Sequence, residues 1–558
     1  MENSYFDLTI HRLSLILQPQ SISMNKKYNF VLPVLLALCV AFGMLIGMRF
    51  NPYNRPVQKD FSGKFNEILE LIDMAYVDTV NINNLTEDAI RKMLMELDPH
   101  SVYLTKSELI ASMQDLEGNF EGIGIEFNIL NDTILVVSPI AGGPSESIGI
   151  RAGDKIIYIN DELVAGKGIK TTDVRSKLLG KKGTKVTIKI KRKSVESLIE
   201  YTITRDRIPF FSIDASYMVD KTTGYIKINR FSAETYNEFN KALSKLLMEG
   251  MTQLILDLSG NPGGYLDAAI KIADHFFDKQ KLLVYTEGRQ RKRRDYYSES
   301  SGLFTNGKLV VIIDEGSASA SEIMAGAIQD WDRGLIVGRR SFGKALVQEP
   351  LRLSDSSEIR LTVARYYTPI GRFIQKPYQN GSEEYYMEMY HRFSNGQLVS
   401  KDSNLFPDSL KYKTFKGRTV YGGGGIMPDI FVPLDTTYRN QLLADINQNG
   451  LFNSFTIQYV DNKRNELKNK YPDFKIYDKQ FQSVTLKNEF VNYIQQNGIK
   501  YNENEFKLAE KIIFNRIDAL IARNLFGDNA FFKIINEENP EFLKALETIK
   551  SNDFLILN

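Results

Sequence analysis

The chain has 558 residues, enough for several domains, and 43% of them are hydrophobic, as in a globular protein. Lys and Arg number 70 against 68 Asp and Glu, so a net charge of +2 gives no global pull toward nucleic acid or an acidic substrate. The single cysteine excludes a disulfide within the chain.

Residues 1–29 read as a leader. Met24 stands just before "NKKYNF", and the stretch ahead of it is unlike an export signal, so residues 1–23 are expected to precede the true start. Residues 30–48, "FVLPVLLALCVAFGMLIGM", form an uncharged apolar run of the length a helix needs to cross a bilayer. Lys26 and Lys27 precede the run, which favours a cytoplasmic N-terminus and export of the chain beyond residue 48, although Arg49 and Arg55 weaken the asymmetry. Without a small-x-small cleavage signal, the expectation is an uncleaved single-pass anchor in the inner membrane, with the remainder in the periplasm. Cys39 lies inside this run, and bulky Leu38 before it argues against lipid attachment.

Residues 57–117 are expected to form a helical region. "KFNEILELIDMAYVDTV" repeats apolar residues at three and four spacings, and "TEDAIRKMLMELDPHSVYL" opens with a Thr-x-x-Asp helix start and is broken at Pro99. Residues 118–205 then change to strand patterns, among them "TKVTIKIKR" with strict alternation. "GIGIEF" followed by "SPIAGGPSESIGIRAGDKIIYINDELV" resembles a PDZ domain, a fold that takes a peptide's free C-terminus beside a strand. The turn at Gly122, Ile123, Gly124 and Ile125 would offer backbone N–H groups to that carboxylate while the peptide extends the sheet.

From residue 206 to 433, short apolar strands ("QLILDL", "KLVVIIDE", "GLIVG") alternate with helical stretches, which argues for an α/β domain with a largely parallel sheet. Residues 434–558 are rich in Lys, Asn and Glu with amphipathic patterns and carry no catalytic signature. The basic cluster "GRQRKRRD" at 288–295 reads as a solvated loop or strand face rather than a nucleic-acid site.

Chemistry is constrained by the scarcity of histidine: His11, His100, His275 and His391 are the only four. His11 lies ahead of the apolar run, and His100 and His275 fall in helical patterns, so a serine nucleophile would take its proton acceptor elsewhere, and lysine is the alternative if burial keeps it neutral. No His-Glu-x-x-His or Cys/His cluster calls for a metal, and no cofactor is expected. "DEGSASASEI", residues 314–323, joins an apolar strand to a helix. Taken alone it favours a serine cap, yet free N–H groups at a helix start also suit a developing oxyanion. "SFGKALVQ" adds Lys344 and Gln348, and "DLSGNPGG" adds two glycines before another helix.

Together "DLSGNPGG", "GSASASEIMAGAIQD", "SFGKALVQ" and "GGGGIMPDI", behind a PDZ-like module, resemble the C-terminal processing peptidases, or tail-specific proteases. The resemblance implies a multidomain α/β protein: an anchor and helical layer, a β-rich PDZ domain, a crotonase/ClpP-like protease core and a helical C-terminal region. It implies a serine endopeptidase cutting near the C-termini of extracytoplasmic proteins, with Ser319 as nucleophile, Lys344 as base and Gln348 orienting the lysine. The backbone N–H groups of Ala320 and Gly263 would form the oxyanion hole. Spacing alone does not choose among Ser317, Ser319 and Ser321. Two departures stand out: Ala345 follows the lysine where the family usually has glycine, and Ser259 stands where it usually has arginine. Alanine would be strained at a positive φ, and the lost arginine removes a charge beside the glycine turn. They keep a second reading open, an inactive PDZ scaffold that only binds protein tails. The apolar faces of the C-terminal region need burial, which leaves homo-oligomer formation open.

Overall fold

The computed structural model describes residues 34–43, 61–130, 132–140, 142–193, 195–400, 407–551 and 554. The chain divides into two compact units, residues 1–87 and 88–558. In the first, the described elements are a helix over 34–43, helix α1 (Phe61–Ala75) and the start of α2 (Ile82–Met95). Among the described residues no helix is long and apolar enough to cross a membrane. The expected leader at 1–29 and all of the 30–48 run except 34–43 lie outside the described residues.

The second unit begins with the remainder of α2, strand β1 (Val102–Leu104) and helix α3 (Lys106–Glu117). Helix α3 starts at a capping box in which the Glu108 side chain accepts from the Thr105 N–H at 2.8 Å, and it ends at Gly118 with φ 72°. Strand β2 (Asn119–Gly122) leads into a sheet of β3 (Ile125–Leu130), β4 (Thr133–Pro139), β5 (Lys155–Ile159), β6 (Lys185–Lys191) and β7 (Ile199–Thr204), in that order, with a two-residue strand beside β5. Alternation in "KVTIKIK" sends Val186, Ile188 and Ile190 inward. Helix α4 (Thr171–Leu178) closes this core through Val174 and Leu178. Strand β8 (Asp206–Pro209) returns to pair with β2.

The central sheet has the order β9 (Ile213–Met218), β10 (Thr223–Ile228), β11 (Gln253–Asp257), β14 (Lys308–Ile313), β15 (Leu335–Gly338) and β18 (Ile430–Phe431). All pairs are parallel except β9 with β10. Apolar runs fit because both faces are covered. Leu254, Leu256, Leu309, Val311 and Ile313 point to one side, where helices α5 (Thr235–Met248), α6 (Leu266–Asp274) and α7 (Ala320–Asp330) bury them. Ile255, Val310 and Ile312 point to the other, against Phe542, Ala545 and Ile549. Those three belong to α10 (Pro540–Lys550), the last helix of the C-terminal region, so the expected separate helical region completes the core's second face.

A second sheet carries β1, β17 (Glu358–Tyr367), β12 (Leu282–Glu287) and β13 (Arg294–Tyr297), with β16 (Leu346–Arg352) also on β17. The basic cluster runs into β13; Arg293 pairs with Asp295 at 2.7 Å and lies over the Tyr285 ring, in keeping with a strand face. In the C-terminal region, α8 (Leu451–Lys470) and α9 (Glu503–Phe526) meet the PDZ-like module. Ile457 joins Leu135 and Val137 in a small apolar cluster, Lys193 donates to Asn462 at 2.6 Å, and Arg523 faces Glu126 at 3.4 Å.

Candidate active site

The serine-rich stretch 314–323 spans the end of β14 and the start of α7. Ser317 and Ser321 are fully buried, and their hydroxyls donate to the carbonyls of Leu258 at 2.8 Å and Asn261 at 3.0 Å. Ser319, alone of the three, is partly exposed. It also has φ 53° and ψ −109°, a costly conformation for a non-glycine residue, held by the flanking turn and helix. The structure thus separates serines that spacing could not.

Lys344 lies in the turn after β15, and its backbone is tied to that of Ser319 by two shared partners. The Glu322 carboxylate, on the first turn of α7, accepts from the N–H groups of Ser319 (2.8 Å), Gly343 (2.7 Å) and Lys344 (2.9 Å), and from the Ser341 hydroxyl (2.5 Å). Glu322 is fully buried, so desolvation raises its pKa while these four donors oppose the rise. Below it, the buried Tyr366 hydroxyl faces the carbonyls of Ser319, at 3.2 Å, and of Lys344. Neither Glu322 nor Tyr366 was singled out from sequence; the Ser-x-x-Glu spacing after Ser319 was the available signal for the first.

Burial pushes the Lys344 amine below its ordinary value, opposed by the charges of Glu322 and Asp98 and reinforced by Arg360. Among the described residues no hydrogen bond joins Lys344 Nζ to Ser319 Oγ or to Gln348. Gln348, on β16, donates instead to Thr362 Oγ1 of β17 at 3.2 Å. Thr362 in turn donates to Asp98 at 3.0 Å. His100 Nε2 lies 2.8 Å from the Tyr385 hydroxyl, which accepts from Gln375 at 3.2 Å, and Gln375 accepts from the Ala345 N–H at 2.8 Å. His100, read as part of a helix, therefore sits in a turn near Lys344; burial, then the Lys344 charge, lower its pKa to about 3.

Gly263 lies against the candidate nucleophile. A Cβ there would stand 2.7 Å from the Ala318 carbonyl, 2.8 Å from Ser319 Cβ and 2.9 Å from the Ala320 nitrogen, and φ is +99°. Its expected role as an oxyanion donor needs correction in this geometry, because its N–H already donates to Asn261 Oδ1 at 2.9 Å. What Gly263 contributes is room. Ala320 opens α7, where the first N–H groups have no partner within the helix.

Both departures have structural answers. Ala345 is fully buried and does not have a positive φ; the left-handed position is Gly343, at φ 90°. The strain expected of alanine is therefore absent. Near Ser259, Lys227 donates to the serine carbonyl and hydroxyl, each at 3.0 Å, and pairs with Asp257 at 3.3 Å. A lysine from β10 thus brings positive charge to a turn that lacks the arginine.

In the β-rich module, Gly122 closes β2, Ile123 and Gly124 are buried in the turn, and Ile125 opens β3. Gly124 has φ 73°. The Ile123 carbonyl accepts from the Ser145 hydroxyl at 2.6 Å, which fixes the turn. Among the described strands β3 pairs only with β4, so its other edge is open, and Ile125, Phe127 and Ile129 border the same apolar cluster as α4. An open edge beside a helix is the arrangement that takes a peptide strand.

A PDZ module ahead of an α/β core, with a serine at a strained helix start and a half-buried lysine nearby, defines the class: a PDZ-containing serine protease. Family models agree: Peptidase family S41 matches residues 222–381, the PDZ domain 122–203, the activating protease CtpB N-terminal domain 51–108, and a family of unknown function 442–527. The chain is 38% identical over 319 residues to carboxy-terminal processing protease CtpB of Bacillus subtilis, covering 56% of this chain and 65% of the relative. It is 36% identical over 317 residues to a carboxy-terminal-processing protease of Bartonella bacilliformis, covering 56% of this chain and 72% of the relative. A solved photosystem II D1 C-terminal processing protease is 30% identical, over 57% of this chain and 90% of that one, with a TM-score of 0.33. The chain belongs to the carboxy-terminal processing proteases of peptidase family S41. It spans 65% of the first relative's own length, a little under two thirds.

Proposed function

We propose that this protein is a serine endopeptidase that cuts proteins near their C-termini through Ser319 and Lys344. Neutral Lys344 takes the Ser319 hydroxyl proton as Oγ attacks the scissile carbonyl carbon. The resulting oxyanion is met by the Ala320 N–H at the start of α7, where the helix end favours negative charge. When the C–N bond breaks, the ammonium of Lys344 returns its proton to the leaving amine, and water then hydrolyses the acyl-enzyme. The observation that carries this reading is the shared tether: Glu322 and Tyr366 hold the backbones of Ser319 and Lys344 together, while burial keeps the lysine amine easy to deprotonate. Proton transfer then requires only that the Lys344 side chain bring Nζ within hydrogen-bond reach of Oγ.

The PDZ module would capture the substrate tail, its carboxylate at Gly122–Ile125 and its backbone along the open edge of β3. From the apolar run at 30–48 we place the catalytic part outside the cytoplasm on a single-pass anchor. Protease accessibility in intact and opened spheroplasts tests that placement. For the chemistry, wild type and Ser319→Ala are incubated with an unstructured protein bearing an apolar C-terminus. The expected result is cleavage by wild type alone; equal breakdown by both, or by neither, overturns the reading. The scaffold alternative loses its motive, since Ala345 is unstrained and Lys227 supplies a charge beside Ser259.

A further inference from the structure

The segment after α2 contributes side chains to a site that the catalytic core was expected to build by itself. Strand β1 adds to β17 in antiparallel register, Val102 opposite Arg360 and Leu104 opposite Glu358. That register lays the turn Asp98-Pro99-His100-Ser101 against Thr362, two residues beyond Arg360 on the same strand. Thr362 is the register partner of Gln348 across the β16–β17 hairpin.

Asp98 is buried, and each carboxylate oxygen is occupied. Oδ1 accepts from the N–H groups of His100 (2.8 Å) and Ser101 (2.9 Å) and from Thr362 Oγ1 (3.0 Å); Oδ2 accepts from Ser101 Oγ (2.6 Å). The Ser101 hydroxyl also accepts from the Thr362 N–H at 3.1 Å. The contacts to His100 and Ser101 organise the turn itself. The contact to Thr362 determines how that side chain is oriented: a hydroxyl that donates its only proton to a carboxylate must present lone pairs elsewhere, and Gln348 Nε2 donates to them at 3.2 Å. With its amide nitrogen turned to Thr362, Gln348 has its carbonyl oxygen left to face a donor, and a lysine amine offers only donors once protonated.

We propose that Asp98 is a positioning residue for catalysis, acting through Thr362 to fix the orientation of Gln348 and so the direction from which Lys344 is held. The proposal rests on Lys344 being the base. It makes the docking of β1 on β17 a condition for a competent site, because without that strand Thr362 loses its carboxylate and Gln348 is free to flip. Among the described residues, the charged and titratable groups around Lys344 include Glu322 on α7, Asp98 and His100 on the turn, and Arg360 and Tyr366 on β17. Of these, Asp98 and Glu322 favour the protonated lysine. Replacing the Asp98 carboxylate by an amide therefore makes Lys344 easier to deprotonate, and the acid limb of the pH–rate profile should move to lower pH even as the rate falls.

The test uses the full chain and a tail-bearing peptide, with melting curves to verify folding. Thr362→Val, which keeps shape and removes the hydroxyl, should lower kcat roughly tenfold, the scale of one hydrogen bond. Thr362→Ser should restore it. Gln348→Ala combined with Thr362→Val should be no slower than Gln348→Ala alone, because both cut the same chain. Asp98→Asn should shift the acid limb downward. Additive losses in the double variant, a Thr362→Ser rate equal to that of Thr362→Val, or an unmoved acid limb in folded Asp98→Asn would each overturn the proposal. Should Asp98→Asn fail to fold, the Thr362 variants and the double variant decide alone. Activity of wild type with none of these effects would sink Asp98 while leaving Lys344 as base; loss of Ser319 dependence would sink the reading beneath it.

Discussion

Two accessory segments join the same catalytic core in opposite ways. The turn at 98–101 enters by polar contacts, placing a buried carboxylate and a half-buried imidazole near Lys344, and its strand adds only three residues to a sheet. The C-terminal region enters chiefly by apolar burial: Phe542, Ala545 and Ile549 cover the second face of the central sheet beside the Arg339–Glu541 ion pair, with Ile457 seated on the PDZ module. A polar junction is directional and sensitive to single atoms, whereas an apolar one is proportional to area and indifferent to register. The first can therefore tune chemistry through single contacts, and the second secures folding with little say in chemistry.

That contrast can be broken at several points. Lys344→Met should lower kcat by about 10⁴-fold or more with little loss of stability, read by single-turnover kinetics beside a urea melt. Phe542→Ala should do the reverse, costing about 3–5 kcal/mol in the unfolding free energy from a urea melt while the rate per folded molecule holds. A large rate effect from Phe542→Ala would erase the distinction. The His100 contribution should appear in the pH dependence of stability. Its pKa falls from 6.5 to about 3 on folding, so the protein is favoured above pH 6.5 and loses that favour as pH drops toward 3. In the limit the loss is about 3–5 kcal/mol, and His100→Gln should flatten it. Smallest of all, Glu126→Gln should change stability by less than about 1 kcal/mol, because its pairing with Arg523 is solvent-exposed, while Ile457→Ala at the same junction should cost about 2–4 kcal/mol. Near-equal losses for the two would mean that the PDZ module is held by charge after all.

Much of the site was legible. Serine at a strand-to-helix turn, a lysine in a glycine-bounded turn and a glycine pair before a helix are local patterns, and each remained where its spacing put it. What distinguishes Ser319 from its neighbours was different: the Ser317 and Ser321 hydroxyls are bound to carbonyls of Leu258 and Asn261, about sixty residues away in sequence. Gly263 was read as a donor because glycine turns expose N–H groups, but a neighbouring asparagine side chain captures that one. The worry over Ala345 came from a family pattern, and only the backbone angle removed it.

The sequence by itself determined the order of modules, the alternation of strands and helices, and the residue types available for chemistry, since these depend on periodicity and short spacing. Only the tertiary structure decided that Glu322 and Tyr366 join the backbones of Ser319 and Lys344, that Asp98 reaches Gln348 through Thr362, and that the last helix completes the central sheet. Each depends on partners dozens to hundreds of residues apart, and no local pattern encodes which buried donor will meet which distant acceptor.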